Sequence, residues 1–180
     1  FMQRLILQDL INWKNKPNRK PLILKGVRQT GKTYVLKEFG RSHFSAVHYI
    51  NFENNPKAGA IFKTGFDPSK ILTDLSFIVE QPIDIKNDLL IFDEIQECPP
   101  ALTSLKYFAE DLPELAVCCA GSLLGLHLSE TSFPVGKVDF FHMRPMCFAE
   151  FLNAAGESQL LQVLNQCSNN SISEVVHERL

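Results

Sequence analysis

Gly26-Val27-Arg28-Gln29-Thr30-Gly31-Lys32-Thr33 is the stretch that decides the reading of this chain. It follows the short apolar run Pro21-Leu22-Ile23-Leu24-Lys25 and opens a segment of helical character from Lys32 to Phe39, for which Gly40 is the expected stop. The pattern G-x-x-x-x-G-K-[ST] between a strand and a helix is that of a phosphate-binding loop. Its glycines let backbone N–H groups wrap a polyphosphate, and the helix N-terminus adds the positive end of its dipole. Lys32 then reaches the β- and γ-phosphates, and the Thr33 hydroxyl becomes a ligand for Mg²⁺. The expected nucleotide contacts run from Gly26 to Tyr34 and include Val27, Arg28, Gln29 and Thr30. For Arg28, contact with nucleotide or a neighbour competes with plain solvent exposure.

Leu89-Leu90-Ile91-Phe92 is a continuous apolar run of the kind buried on both faces of a parallel sheet, and it ends in the paired carboxylates Asp93 and Glu94. Downstream of a phosphate loop these two divide the chemistry. Asp93 holds the hydrated Mg²⁺ that Thr33 coordinates, while Glu94 orients and deprotonates a water in line with the γ-phosphate. Ala120-Gly121-Ser122 follows a second apolar strand, Leu115 to Ala120. Ligands gather at the carboxyl ends of parallel strands, so Ser122 is placed to sense the γ-phosphate. A Gly-Ser turn capping the next helix is the alternative there.

Outward from these blocks the chain alternates. A leading helix from Gln3 to Asn15, a strand from Ala46 to Phe52, a mixed connection from Asn54 to Gly65 and helices at Pro68 to Glu80 and Pro99 to Asp111 are expected. A strand from Lys137 to His142 and a helix from Cys147 to Ala155, closed by Gly156, complete the series. Strands alternating with helices call for an α/β fold whose parallel sheet is covered on both faces. Residues 1–156 form the expected domain, and 157–180 the start of a helical lid or a linker to a C-terminal domain outside this sequence. That tail reads as a short helix from Glu157 to Gln166, a polar link, and a capping box Ser171 to Glu174 opening an unfinished helix, as in a piece of a longer protein.

Composition bounds the rest. At 180 residues, 45% hydrophobic and 21% charged, the chain suits one globular domain. No apolar run approaches the ~20 residues that span a bilayer. The 18 basic against 20 acidic residues give a net charge of −2, which is no footprint for a phosphate backbone and leaves nucleic acid an uncertain partner. Lys14 to Lys20 is basic, and a solvated turn is its expected role. Cys98, Cys118, Cys119, Cys147 and Cys167 form no C-x-x-C and read as reduced, mostly buried thiols of a cytoplasmic protein. His43, His48, His127, His142 and His177 show no metal spacing. The 14 phenylalanines are expected in the core, with Phe140 and Phe141 on opposite sheet faces.

Four blocks in order carry a resemblance: Gly26 to Thr33, Leu90 to Gln96, Gly121 to Gly125, and Phe133 to Lys137 running into Pro145 to Leu152. Over residues 3–155 the chain resembles the N-terminal domain of predicted bacterial and archaeal AAA+ superfamily ATP-binding proteins, which carry a C-terminal domain of unknown, nuclease-like function. The resemblance implies a P-loop NTPase three-layer sandwich with strand order 5-1-4-3-2. It makes Lys32 and Thr33 the Walker A pair, Asp93 and Glu94 the Walker B pair, and Ser122 the first sensor. It also implies ATP or ADP with Mg²⁺, ATP hydrolysis, coupling to the C-terminal domain or a partner, and a possible homo-oligomer. No arginine lies between residues 42 and 143, so hydrolysis by this chain alone is expected to be weak until an arginine arrives from elsewhere. Arg144 is the internal candidate for donation across an interface, with a structural salt bridge as its alternative. Two other functions compete: a nucleotide-dependent switch with little hydrolysis, and a small-molecule or nucleoside kinase, which the same scarcity of arginines disfavours.

Overall fold

The apolar runs become five parallel strands flanked by helices in the computed structural model, which describes residues 4–121, 134, 136–157, 159, 160 and 162. In chain order the elements are α1 (Ile6–Lys14), β1 (Leu22–Lys25), α2 (Lys32–His43), β2 (Val47–Asn51), α3 (Pro56–Ile61), α4 (Pro68–Ile78) and β3 (Leu89–Asp93). A 3-10 turn (Ile95–Glu97), α5 (Pro99–Asp111), β4 (Ala116–Gly121), β5 (Asp139–His142) and α6 (Phe148–Ala155) follow. The sheet order is β2-β3-β4-β1-β5, the 5-1-4-3-2 arrangement that the resemblance implies. All four pairings are parallel, with Lys25 level with both Gly121 and His142, and Asn51 level with Asp93. The carboxyl ends of the strands therefore share one edge.

Side chains of a strand alternate between faces, and here each face meets its own helical layer. Leu22 and Leu24, Leu89 and Ile91, and Ala116, Cys118 and Ala120 pack with Leu10 and Trp13 of α1 and Val35, Leu36 and Phe39 of α2. Ile23, Leu90, Phe92, Val117 and Cys119 face the other way, onto Ala58 of α3, Ile71 and Leu75 of α4, and Leu105 and Phe108 of α5. β3 and β4 are buried throughout, as their unbroken apolar runs require, whereas the edge strand β2 alternates. Phe140 and Phe141 join opposite layers.

Several expectations need correction. Gly40 does not stop α2, which runs on to His43. Gly40 is instead a contact point: a Cβ there would come within 2.5 Å of Val47 Cγ2 and 3.0 Å of Leu89 Cδ2. The connection after β2 contains α3, capped by Asn55, whose side chain accepts from the Ala58 N–H at 3.1 Å. The basic turn is not wholly solvated, because half-buried Arg19 donates to the carbonyls of Lys14 (3.1 Å) and Glu114 (2.7 Å). Not every phenylalanine is core: Phe77, Phe148 and Phe151 are 77%, 51% and 55% exposed. Cys98, Cys118 and Cys119 are buried free thiols, while Cys147 is exposed. Cys167 and the features expected between 163 and 180 lie outside the described residues.

Candidate active site at the carboxyl ends of the strands

The phosphate loop leaves β1 at Lys25 and enters α2 at Lys32. Gly31 takes φ +87°, a left-handed conformation that glycine adopts without the Cβ clash, and Gln29 takes φ +63°. Such left-handed residues turn successive N–H groups toward a common concavity, and the first N–H groups of α2 have no intrahelical acceptor. The Thr30 hydroxyl closes the loop by donating to the Val27 carbonyl at 2.9 Å. Gly26 is fixed by space, since a Cβ would lie 2.4 Å from the Met143 carbonyl oxygen on the segment after β5. Lys32 is buried, and its ammonium donates to the carbonyls of Gly26 and Val27 at 2.8 Å each. Burial lowers its pKa, against the opposing pull of Glu94 and Asp93.

Across from the loop, Asp93 ends β3 with its carboxylate buried and both oxygens hydrogen-bonded. Oδ2 accepts from the Thr33 hydroxyl at 2.8 Å and the Tyr49 hydroxyl at 2.7 Å, and Oδ1 accepts from the Glu94 N–H at 3.1 Å. Burial, together with Asp93 and Glu94, pushes the Tyr49 phenol up to about 12, so it remains a donor. Lys37 lies 3.4 Å above the Tyr49 ring and covers it. Glu94 takes φ +49°, a left-handed backbone that costs about 1–3 kcal/mol for a residue with a side chain. Its Oε2 accepts from the Gln96 amide.

This donor set fits Mg²⁺ bound together with phosphates. Mg²⁺ takes oxygen ligands, keeps several waters, and is held by one or two protein groups plus substrate oxygens, which is what a touching hydroxyl and carboxylate offer. Among the described residues no group of three or more His, Cys, Asp or Glu could hold a metal alone. The cleft over the loop measures about 480 Å³ and is lined by Arg28, Gln29, Gly31, Lys32, Thr33, Tyr34, Glu53 and Glu94.

The family model described as AAA domain matches residues 18–152. This chain belongs to that AAA domain family. No curated protein matches it. Among solved structures, the AAA domain is similar to a Walker-type ATPase of Pyrococcus abyssi, with TM-score 0.54 at 17% identity over 99% of this chain and 62% of that one. Cdc6p of Pyrobaculum aerophilum gives 0.52 at 14%, over 87% and 50%. AMPPCP-bound DnaA of Aquifex aeolicus gives 0.50 at 14%, over 99% and 56%. At such identities the likeness is one of fold. The AAA domain spans less than two thirds of each of these chains.

The AAA domain brings together Gly26 to Tyr34, Asp93 and Glu94 as the sequence leads one to expect, and Arg28 and Gln29 are exposed at the cleft. Ser122 lies outside the described residues, one position beyond Gly121 at the end of β4. Arg144 is exposed and makes no ion pair among the described residues. Tyr49, Glu53 and Arg4 belong to none of the sequence blocks, and Gln96 stands only as the last residue of the block Leu90 to Gln96. A polar residue near a strand's carboxyl end is a usable signal for Tyr49, and Glu53 and Arg4 carry none. No helix among the described residues is long and apolar enough to cross a membrane.

Proposed function

We propose that this AAA domain binds ATP with Mg²⁺, hydrolyses its terminal phosphate, and passes the nucleotide state to a further domain or partner. The observation that carries the reading is the 2.8 Å contact between the Thr33 hydroxyl and Asp93, with Glu94 next in sequence and facing the same cleft. Loop N–H groups and Lys32 take the phosphates, with Thr33 and Asp93 as the oxygen donors for the ion. Mg²⁺, when bound, neutralises charge on the phosphate oxygens. Glu94 orients the attacking water and accepts its proton. Release of Glu94 from the Gln96 amide frees the carboxylate for that role. The same contact favours the second reading, a nucleotide switch with slow hydrolysis, because a carboxylate held as an acceptor is a poorer base. A third kinase reading gains nothing from the site. ATP chemistry and buried free thiols suit a cytoplasmic location.

Calorimetry with ADP and Mg-ATP, joined to steady-state phosphate release, tests the reading. Lys32→Ala should weaken nucleotide binding about 10- to 100-fold, the value of charge-assisted hydrogen bonds to phosphate. Glu94→Gln should bind as the wild type while turnover falls by about 10²–10⁴. Unchanged affinity in a folded Lys32→Ala chain refutes the loop assignment. Tight binding without turnover by the wild type, at every protein concentration, selects the switch; turnover that rises with concentration marks an arginine supplied by a second copy.

A further inference from the structure

The phosphate loop is held from outside by a residue that precedes α1. Arg4 is 5% exposed, and its guanidinium reaches three separate parts of the chain. Nη1 donates to the Thr30 carbonyl at 2.8 Å, Nη2 to the Arg144 carbonyl at 2.8 Å, and Nε to Glu150 Oε1 at 3.0 Å. Glu150 is itself buried and accepts from the N–H groups of Leu5 (2.8 Å) and Cys147 (2.9 Å), so both charges are satisfied inside the protein. Burial opposes the Glu150 charge, but those two N–H groups and Arg4 outweigh it and hold the carboxyl below its ordinary range.

A trans peptide points its C=O and the next N–H to opposite sides. Anchoring the Thr30 oxygen on Arg4 therefore turns the Gly31 N–H away from Arg4. Gly31 needs such an anchor. With no side chain and φ at +87°, it opposes rotation of the Thr30–Gly31 peptide less than any other residue would. The Thr30 hydroxyl bond to Val27 secures the side chain of Thr30 and leaves this peptide free to turn.

We propose that Arg4, seated by Glu150, is a positioning residue for nucleotide binding, fixing the Thr30–Gly31 peptide so that the Gly31 N–H faces the phosphates. The proposal rests on the reading of residues 26–33 as a nucleotide phosphate loop. Three different nitrogens of the planar fork meet the three acceptors; a lysine keeps the charge opposite Glu150 on a single nitrogen and loses the fork. The alternative is a clasp that merely staples α1 and α6 to the domain.

The test uses the full chain, with ADP and Mg²⁺ as the probe and the Gly31 amide resonance of ¹⁵N-labelled protein as a direct report on the peptide. The wild type should bind ADP and show one sharp Gly31 signal. Arg4→Gln and Arg4→Lys should bind ADP at least about tenfold more weakly and broaden or split the Gly31 signal, while those of Gly40 and Gly59 hold their positions. Should Arg4→Gln fail to fold, Arg4→Lys alone decides. A folded variant with a lower melting temperature, ADP affinity within twofold of wild type and an unchanged Gly31 signal overturns the positioning role and leaves the clasp. Wild-type protein that binds no ADP refutes the phosphate-loop reading, and this proposal with it, before any variant is compared.

Discussion

Asp93 Oδ2 has two donors, and they differ in origin: Thr33 belongs to the phosphate-loop motif, whereas Tyr49 comes from the neighbouring strand β2. A hydrogen bond to a charged group is worth about 1.5–3 kcal/mol, so Tyr49 restrains the carboxylate that is proposed to hold Mg²⁺. Tyr49→Phe keeps the ring under Lys37 and removes only the hydroxyl. It should leave metal-free ADP binding unchanged and raise the Mg²⁺ concentration needed for half-maximal turnover several-fold. A Mg²⁺ titration identical to wild type would show that Thr33 and the Glu94 N–H suffice to orient Asp93. Lys32 and Thr33 are legible as candidates from the local order of strand, loop and helix, and Asp93 and Glu94 from the apolar run that they end downstream of that loop. Tyr49 was less so, since it lies 44 residues from its partner and only the β2–β3 pairing brings the two together.

Helix α2 shows the same division between local and distant causes. Its start at Lys32 was readable from the glycine before it, and the limits of α5, Pro99–Asp111, were readable from proline in the first turn and apolar spacing. Its end was not, because Gly40 looks like a stop and serves as a contact with Val47 and Leu89, on two strands that follow it in sequence. Gly40→Ala weighs these roles against each other. Alanine gains up to about 1 kcal/mol of helix propensity, while forcing a methyl into a packed core costs about 1–3 kcal/mol. The net should be destabilising by up to about 2 kcal/mol, visible as a lower denaturant midpoint with the slope unchanged. A stabilised variant would show that Val47 and Leu89 yield at little cost. Helix α3 escaped a periodicity reading because its six residues fill less than two turns. Arg4 escaped it because its three acceptors, at 30, 144 and 150, are assembled only by the finished fold.

At the scale of the whole molecule, alternating apolar runs were enough to give a parallel sheet covered on both faces, while the strand order was implied by resemblance. Periodicity records which faces are buried and leaves open which strand lies next to which. That order has a consequence for how the molecule is made. β1, which delivers the phosphate loop, lies between β4 and β5, pairing Leu22 with Cys118 on one side and Asp139 on the other. Pairings so distant in sequence form slowly, because a long loop must close before any contact rewards it. A chain stopped at Asp111 carries the whole loop, Asp93 and Glu94, yet gives β1 neither neighbour, and it should bind no ADP by calorimetry. A ribosome making this protein therefore releases the loop early and its scaffold late. Both neighbours of β1 are present only after residue 142 has emerged, and until β4 follows at Ala116–Gly121 the nascent strand β1 is an unpaired apolar edge that needs shielding.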